Sequence, residues 1–200
     1  VGEGQDVEGG VAELSGVDAY EILTAEAANA PAGCEGLIFL PYLTGERTPY
    51  PDANARGTFF GLTLRHDKRH LVRAVMEGVA YSLRDSIELL RDLGIPIQQV
   101  RATGGGARSM LWRQILADVF GTELVTVNVT EGTAYGAALL AGVGTEVYGS
   151  VPEACSTTIR IVDRIDPVPE SQAAYNEYYP VYRSLYRSLK PAFDAVAAVG

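Results

Sequence analysis

The chain has 200 residues, 47% of them hydrophobic and 20% charged, the proportions of a globular protein with one good core or two small ones. A net charge of −9 with no concentrated basic stripe excludes general binding of nucleic acid. No apolar run is long enough to span a bilayer, and no charged-then-apolar leader opens the chain, so no membrane partner is expected.

The first seventeen residues are rich in glycine and acids and read as loop; Val1-Gly2-Glu3-Gly4 lacks an initiator methionine and reads as the middle of a longer protein. Asp18 caps a helix predicted to run to about Asn29, ended by Pro31-Ala32-Gly33. Gly36-Leu37-Ile38-Phe39-Leu40 has the form of a buried strand. Pro41 to Asn54 is an irregular stretch with three prolines, and a loop of that length inside a compact domain is usually functional or mobile. Within it, Glu46-Arg47 has two readings, a bridge to a phosphate or second domain and a salt-bridged loop anchor, the anchor being favoured. A second short strand is expected at Thr58-Phe59-Phe60.

The strongest helix begins near Lys68. Leu71, Val72, Val75, Met76, Val79, Leu83, Ile87 and Leu90 recur at three- and four-residue spacing and predict an apolar packing face, closed by Gly94 and Pro96. The densest basic stretch (Arg65, His66, Lys68, Arg69, His70, Arg73) borders this helix and is expected to be a solvated helix start. His66 and His70 share a helix face, but no carboxylate or cysteine completes a metal set, so they are expected to be ordinary surface histidines. The two cysteines, Cys34 and Cys155, lie far apart and suit a reducing cytoplasm, a single disulfide between them being the other reading.

Gln99 to Thr103 then reads as a strand running into Gly104-Gly105-Gly106. Helix is expected over Ala107–Phe120, strand over Leu124–Val127, a turn at Glu131-Gly132-Thr133, and a small-residue helix over Ala134–Ala141. Strand, glycine, helix, repeated, is the pattern of a parallel α/β sheet. The last forty residues carry Tyr175, Tyr178, Tyr179, Tyr182, Leu185 and Tyr186 at helical spacing. They predict a long C-terminal helix with two open roles, covering the core or meeting a second copy in a homodimer.

The triplet carries the chemistry. Three consecutive glycines where a strand ends and a helix begins remove every Cβ that would hold a ligand away from the main chain. The free N–H groups of the helix's first turn suit a phosphate, and the bare backbone suits a flat base. Strand ends of open α/β sheets are where such ligands bind. A tight turn alone needs one glycine, not three. The P-loop pattern GxxxxGK[ST] and the dinucleotide pattern GxGxxG are both absent here. The helix after Gly132 should emerge on the same rim, with close helix packing an equal explanation for its alanines.

Gly57-Thr58-Phe59-Phe60-Gly61-Leu62, seven residues, then His70-Leu71-Val72-Arg73-Ala74-Val75-Met76-Glu77 resembles the C-terminal signature of the FGGY carbohydrate kinases. Pro41–Tyr50, with Asp52 and Ala55-Arg56-Gly57, and the block GGGARSMLWRQ over 104–114 are similar to the xylulokinase version of those regions, whereas glycerol kinases carry an acidic residue at the position of Gly104. The likeness runs from about Ala12 to the tyrosine helix.

The resemblance implies an α/β fold of the actin-like, ribonuclease-H-like kind, with ATP bound between two lobes. This chain, 1–200, would be the C-terminal domain or an incomplete fragment of it, with the N-terminal sugar-binding lobe elsewhere. It further implies that Gly104, Gly105, Gly106 and Ala107 border the adenosine and phosphates, that Ser109 lies near the base, and that Mg2+ rides on the nucleotide. The family's catalytic Asp belongs to a Gly-Asp segment not matched here; Asp52, Asp85 and Asp118 lack its context. The isolated chain is therefore expected to transfer no phosphate. The implied activity is ATP-dependent phosphorylation of a sugar, D-xylulose first, with gluconate, glycerol or another polyol as sister substrates. The alternative from another class is a non-catalytic nucleotide-binding module of the same fold.

Overall fold

A computed structural model gives the structure of the protein and describes residues 18–130 and 132–199. The expected loop at the N-terminus and the beginning of the family likeness lie outside the described residues. Helix α1 (Ala19–Ala27) starts at Asp18, whose carboxylate accepts from the Tyr20 N–H. Strands β1 (Ile38–Leu40) and β2 (Thr58–Phe60) pair antiparallel, with Phe39 opposite Phe59 and their rings 4.6 Å apart. A two-stranded ribbon is marginal alone. Helix α2 (Lys68–Asp92) covers it, and so closely that a methyl group on Gly78 would collide with the Phe39 carbonyl oxygen.

A second sheet has the order β3-β4-β5. Strands β3 (Val100–Ala102) and β4 (Leu124–Val127) run parallel, joined by helix α3 (Met110–Phe120) as the crossover. The expected grammar is met to this point. Helix α4 (Gly132–Gly144), helix α5 (Val151–Thr158) and strand β5 (Ile161–Ile165) follow, and β5 joins β4 antiparallel. Sequence periodicity did not disclose α5 or β5, which make the sheet mixed rather than parallel. Helix α6 (Pro169–Val199) closes the chain and contains Pro180 and Pro191.

The apolar face predicted for α2 packs only in part, with Leu71, Met76 and Ile87 half-buried against the core, and a different face is the fully buried one. None of the eight residues in that stripe is buried, and Val75, Leu83 and Leu90 are exposed. The buried residues are His70, Arg73, Ala74, Glu77, Gly78, Ala80, Tyr81 and Asp85. Charges enter a core only when paired and hydrogen-bonded, and here they are. Glu77 Oε1 accepts from Arg73 Nε at 2.7 Å, from the Tyr175 hydroxyl at 2.8 Å and from the Gly33 N–H at 3.1 Å. Arg73 also donates to the Ala30 carbonyl at 2.7 Å and to the Tyr175 hydroxyl at 3.0 Å. Two residues of the FGGY-like signature thus lock the α1–β1 connection and α6 onto α2.

The basic stretch is likewise not simply solvated. Asp67 caps α2 and accepts from the Arg69 N–H, while Lys68 pairs with Glu26. His70 is 5% exposed and bonds Asp67 through Nδ1, so it is a buried capping residue rather than a surface histidine. His66 accepts from the Thr63 N–H.

Tyr175, Tyr179 and Tyr182 of α6 are buried in the main core, around Tyr81 of α2, whose ring lies 5.2 Å from that of Tyr182. Of the two roles open to the tyrosine helix, this face takes the covering one. Cys34 is buried and Cys155 half-buried, and both thiols are free. Among the described residues no helix is long and apolar enough to cross a membrane.

Candidate nucleotide site

Strand β3 ends at Ala102, and the triplet follows at the carboxyl end of the sheet. Gly104 adopts φ 83° and ψ −173°, a region only glycine enters without strain. It makes the turn. Gly105 begins a single 3₁₀ turn, Gly105–Arg108, and α3 starts only at Met110, three residues later than periodicity suggests. Ser109 stands between them as the N-cap, its hydroxyl accepting from the Trp112 N–H at 3.2 Å. The amides of Ala107 and Ser109 are consumed within the turn, by the carbonyls of Gly104 and Gly106. The anion-binding N–H groups expected from α3 are therefore fewer than a helix beginning at Ala107 would offer.

The three glycines have different reasons to lack a side chain. Gly104 needs its backbone angles. A Cβ on Gly106 would lie 3.3 Å from Trp112 Nε1, so the indole occupies that space. Gly105 has neither constraint: its φ is not in the left-handed region, and a Cβ there would meet nothing within 4 Å. The triplet is exposed, Ala107 and Ser109 are half-buried beneath it, and Arg108 projects beside it with no ion-pair partner among the described residues.

The second rim is where parallel topology requires it. Strand β4 also ends on this edge, and a Cβ on Gly132, the first residue of α4, would lie 3.7 Å from Thr103 Oγ1. The two glycine motifs, separate in sequence, therefore lie side by side on one rim of the sheet; Glu131 lies outside the described residues. Helix α4 has no charged residue and buries only Leu139, leaving Thr133 and Ala134 exposed at its first turn.

Helix α3 is tied to the chain's last third at three levels. Near the rim, Arg113 donates to Asp163 Oδ2 on β5 at 2.6 Å. Lower down, Gln114 donates to the Asp166 carbonyl at 3.0 Å, and Asp118 accepts from the Val168 N–H at 2.7 Å. The Arg113 guanidinium holds the Asp163 carboxyl below the usual carboxylate range. Burial pushes Asp118 up, against its bonds from Val168 and Gln114. The roles of Trp112, Arg113 and Asp163 were not read from the sequence; Trp112 and Arg113 lie within the family-like block 104–114, while Asp163 left no signal.

The other candidates are elsewhere or otherwise engaged. The Glu46-Arg47 loop is anchored, but among the described residues not by a salt bridge. Glu46 accepts from the backbone N–H groups of Arg47 at 2.6 Å and Thr48 at 3.2 Å, and Arg47 is exposed. Asp52 accepts from the Tyr186 hydroxyl and the Asn54 N–H. Asp85 accepts from the Tyr179 hydroxyl at 2.7 Å and lies 3.4 Å from Arg183, with burial raising its carboxyl. Among the described residues no cluster of three or more His, Cys, Asp or Glu side chains converges to hold a metal.

Residues 8–145 match the family model described as the FGGY family of carbohydrate kinases, C-terminal domain. The chain is 37% identical over 173 residues to a xylulose kinase of Staphylococcus epidermidis, covering 86% of this chain and 35% of that protein. It is 37% identical over 183 residues to a gluconokinase of Bacillus subtilis, covering 91% of this chain and 36% of that one. The solved ligand-bound xylulose kinase of Lactobacillus acidophilus superposes with a TM-score of 0.80 at 34% identity, over 87% of this chain and 35% of that chain. The chain thus spans about a third of the length of the relatives it matches, and its fold is that of their actin-like C-terminal region, mixed helix and sheet. By family model, by identity and by superposition, this chain belongs to the FGGY family of carbohydrate kinases.

Proposed function

We propose that the protein carrying this chain phosphorylates a sugar with ATP, and that the chain contributes the nucleotide side of the site. The observation that carries this reading is Gly105, an exposed glycine at a sheet's carboxyl rim whose missing side chain nothing in the fold explains. A nucleotide lying across bare backbone supplies the reason. Gly104, Gly105, Gly106, Ala107 and Ser109 border it, the exposed Arg108 guanidinium lies within the same turn, and the first turn of α4 forms the opposite lip. Magnesium is assigned to the phosphates, whose oxygens suit it.

The three aspartates weighed as substitutes support a catalytic base outside this chain. Asp52, Asp85 and Asp118 are each engaged in structural bonds. We place the sugar site in the remainder of the protein and expect the 200-residue chain alone to transfer no phosphate. D-xylulose, giving D-xylulose 5-phosphate, is the substrate we place first, following the xylulose kinase relative; the gluconokinase relative makes gluconate the second reading. The free thiols accord with a cytoplasmic site of action.

A coupled assay on the complete protein tests the reading. ATP consumption should depend on added D-xylulose and respond less to gluconate or glycerol. ATP binding without stimulation by any sugar would favour a non-catalytic module, and a gluconate preference the second substrate.

A further inference from the structure

The three bonds between α3 and the segment from β5 to α6 are not equivalent. Strand β5 runs antiparallel to β4, with Asp163 opposite Thr126 and Ile165 opposite Leu124. Asp163 therefore stands towards the rim, one strand beyond the lip formed by β4 and α4. Asp166 and Val168 lie past the far end of β5, where they hold Gln114 and Asp118. Arg113 is one turn into α3, and its N–H donates to the carbonyl of Ser109, the residue that closes the glycine turn. Its side chain is 11% exposed, and its bond to Asp163 is the polar tie to β5 at this end of the helix. All three partners lie beyond residue 145, where the match to the family model stops.

Resting on the nucleotide reading above, we propose that Arg113 and Asp163 are positioning residues whose ion pair fixes the rim end of α3, and with it Gly105, relative to the lip formed by α4. The pair crosses from the helix behind one lip to the strand beside the other, so it sets the spacing of the two lips rather than touching what lies between them. Asp118, five residues further along α3, keeps the far end of the helix docked when the pair is broken. Loss of the pair then lets the glycine turn drift while the fold persists. Asp163 is 43% exposed, so solvent screens the pair and the effect is moderate.

The test is made in the complete kinase that carries this chain. Asp163→Asn should raise the KM for ATP by about twofold to fivefold, within the range a screened ion pair spans, with kcat and the sugar KM unchanged. Reversing the pair with Arg113→Asp and Asp163→Arg should recover part of the loss. Asp118→Ala, at the far end, should lower the melting temperature and leave the ATP KM alone. An unchanged ATP KM in Asp163→Asn, where Gly105→Val raises it strongly, overturns the positioning role and leaves the nucleotide site standing. Indifference to both substitutions removes the nucleotide reading and this proposal together.

Discussion

Tyr175 donates its hydroxyl to Glu77 at 2.8 Å across 98 residues of sequence, and Arg73 donates to both. The triad joins α6 to α2 in the core and ties in the α1–β1 connection through the Gly33 N–H and the Ala30 carbonyl. Burial pushes the Glu77 carboxyl up, opposed chiefly by Arg73. Removing one partner strands the other in a medium that solvates it badly. Glu77→Ala should therefore destabilise the protein by about 3–5 kcal/mol, whereas replacing Arg73 and Glu77 together with apolar residues should cost much less than the two single changes summed. Urea unfolding of the two single variants and the double variant measures this. Additive losses would mean that the pair is not a unit.

The tyrosine cluster predicts a sharp alkaline limit. Burial pushes Tyr42 up from its ordinary value of 10.0 to about 12, its bond with Tyr182 opposing this, and Tyr81, Tyr175, Tyr179 and Tyr182 are also raised, burial being the largest cause for each. A folded pKa above the unfolded one means stability that is complete below pH 10 and is lost as pH climbs from there towards 12 and beyond. Tyrosinate absorbance should rise together with loss of helical circular dichroism, in one cooperative step. Gradual ionisation of these phenols with the helix signal intact would contradict the packing.

How much of this was readable in advance varies by element. Strands β1 and β4 and the crossover α3 were legible because short β-branched or apolar runs between glycines admit few other structures. The family signature was legible as a pattern, but not what it does. An apolar stripe along α2 obeys helical periodicity, yet Arg73, Glu77, Tyr81 and Asp85, also at helical spacing, are buried instead. Their burial depends on hydroxyls that α6 brings from about a hundred residues away, and no local window contains that information. Strand β5 was illegible for a related reason: Ile161 and Val162 are exposed, so its pattern carries little hydrophobic signal, and pairing with β4 defines it. At the site, the triplet announced a special backbone, but its division of labour depends on φ at Gly104 and on an indole beneath Gly106.

The N-cap of α3 offers a separate check on the glycine turn. Ser109 accepts from the Trp112 N–H, and losing such a cap costs about 1 kcal/mol. Ser109→Ala should lower stability by that amount, and Ser109→Asp should retain most of it, since aspartate caps equally well. If Ser109 also borders the nucleotide, as proposed, the aspartate places a negative charge there and weakens ATP binding while the melting temperature recovers. Calorimetry paired with ATP titration separates these roles. Parallel movement of both quantities in both variants would confine Ser109 to capping.

The three glycines should respond differently to one added methyl group, because each lacks a side chain for its own reason. Gly104→Ala forces an alanine to φ 83°, ψ −173°, a strain of about 1–3 kcal/mol that appears as lost stability. Gly106→Ala sets a methyl 3.3 Å from Trp112 Nε1, so the indole must shift by a few tenths of an ångström, and the intrinsic fluorescence of this single tryptophan should report it. Gly105→Ala meets open space at an ordinary backbone angle, and Ala has less conformational entropy to lose than Gly, so stability should hold or rise slightly. Only a ligand then opposes the new side chain. Gly105→Val, bulkier at the same open position, should raise the ATP KM at least tenfold with the melting temperature within a degree or two of the parent's, on the scale of a change well under 1 kcal/mol. A Gly105→Val protein that saturates with ATP like the parent would show that the crevice above the triplet holds no nucleotide.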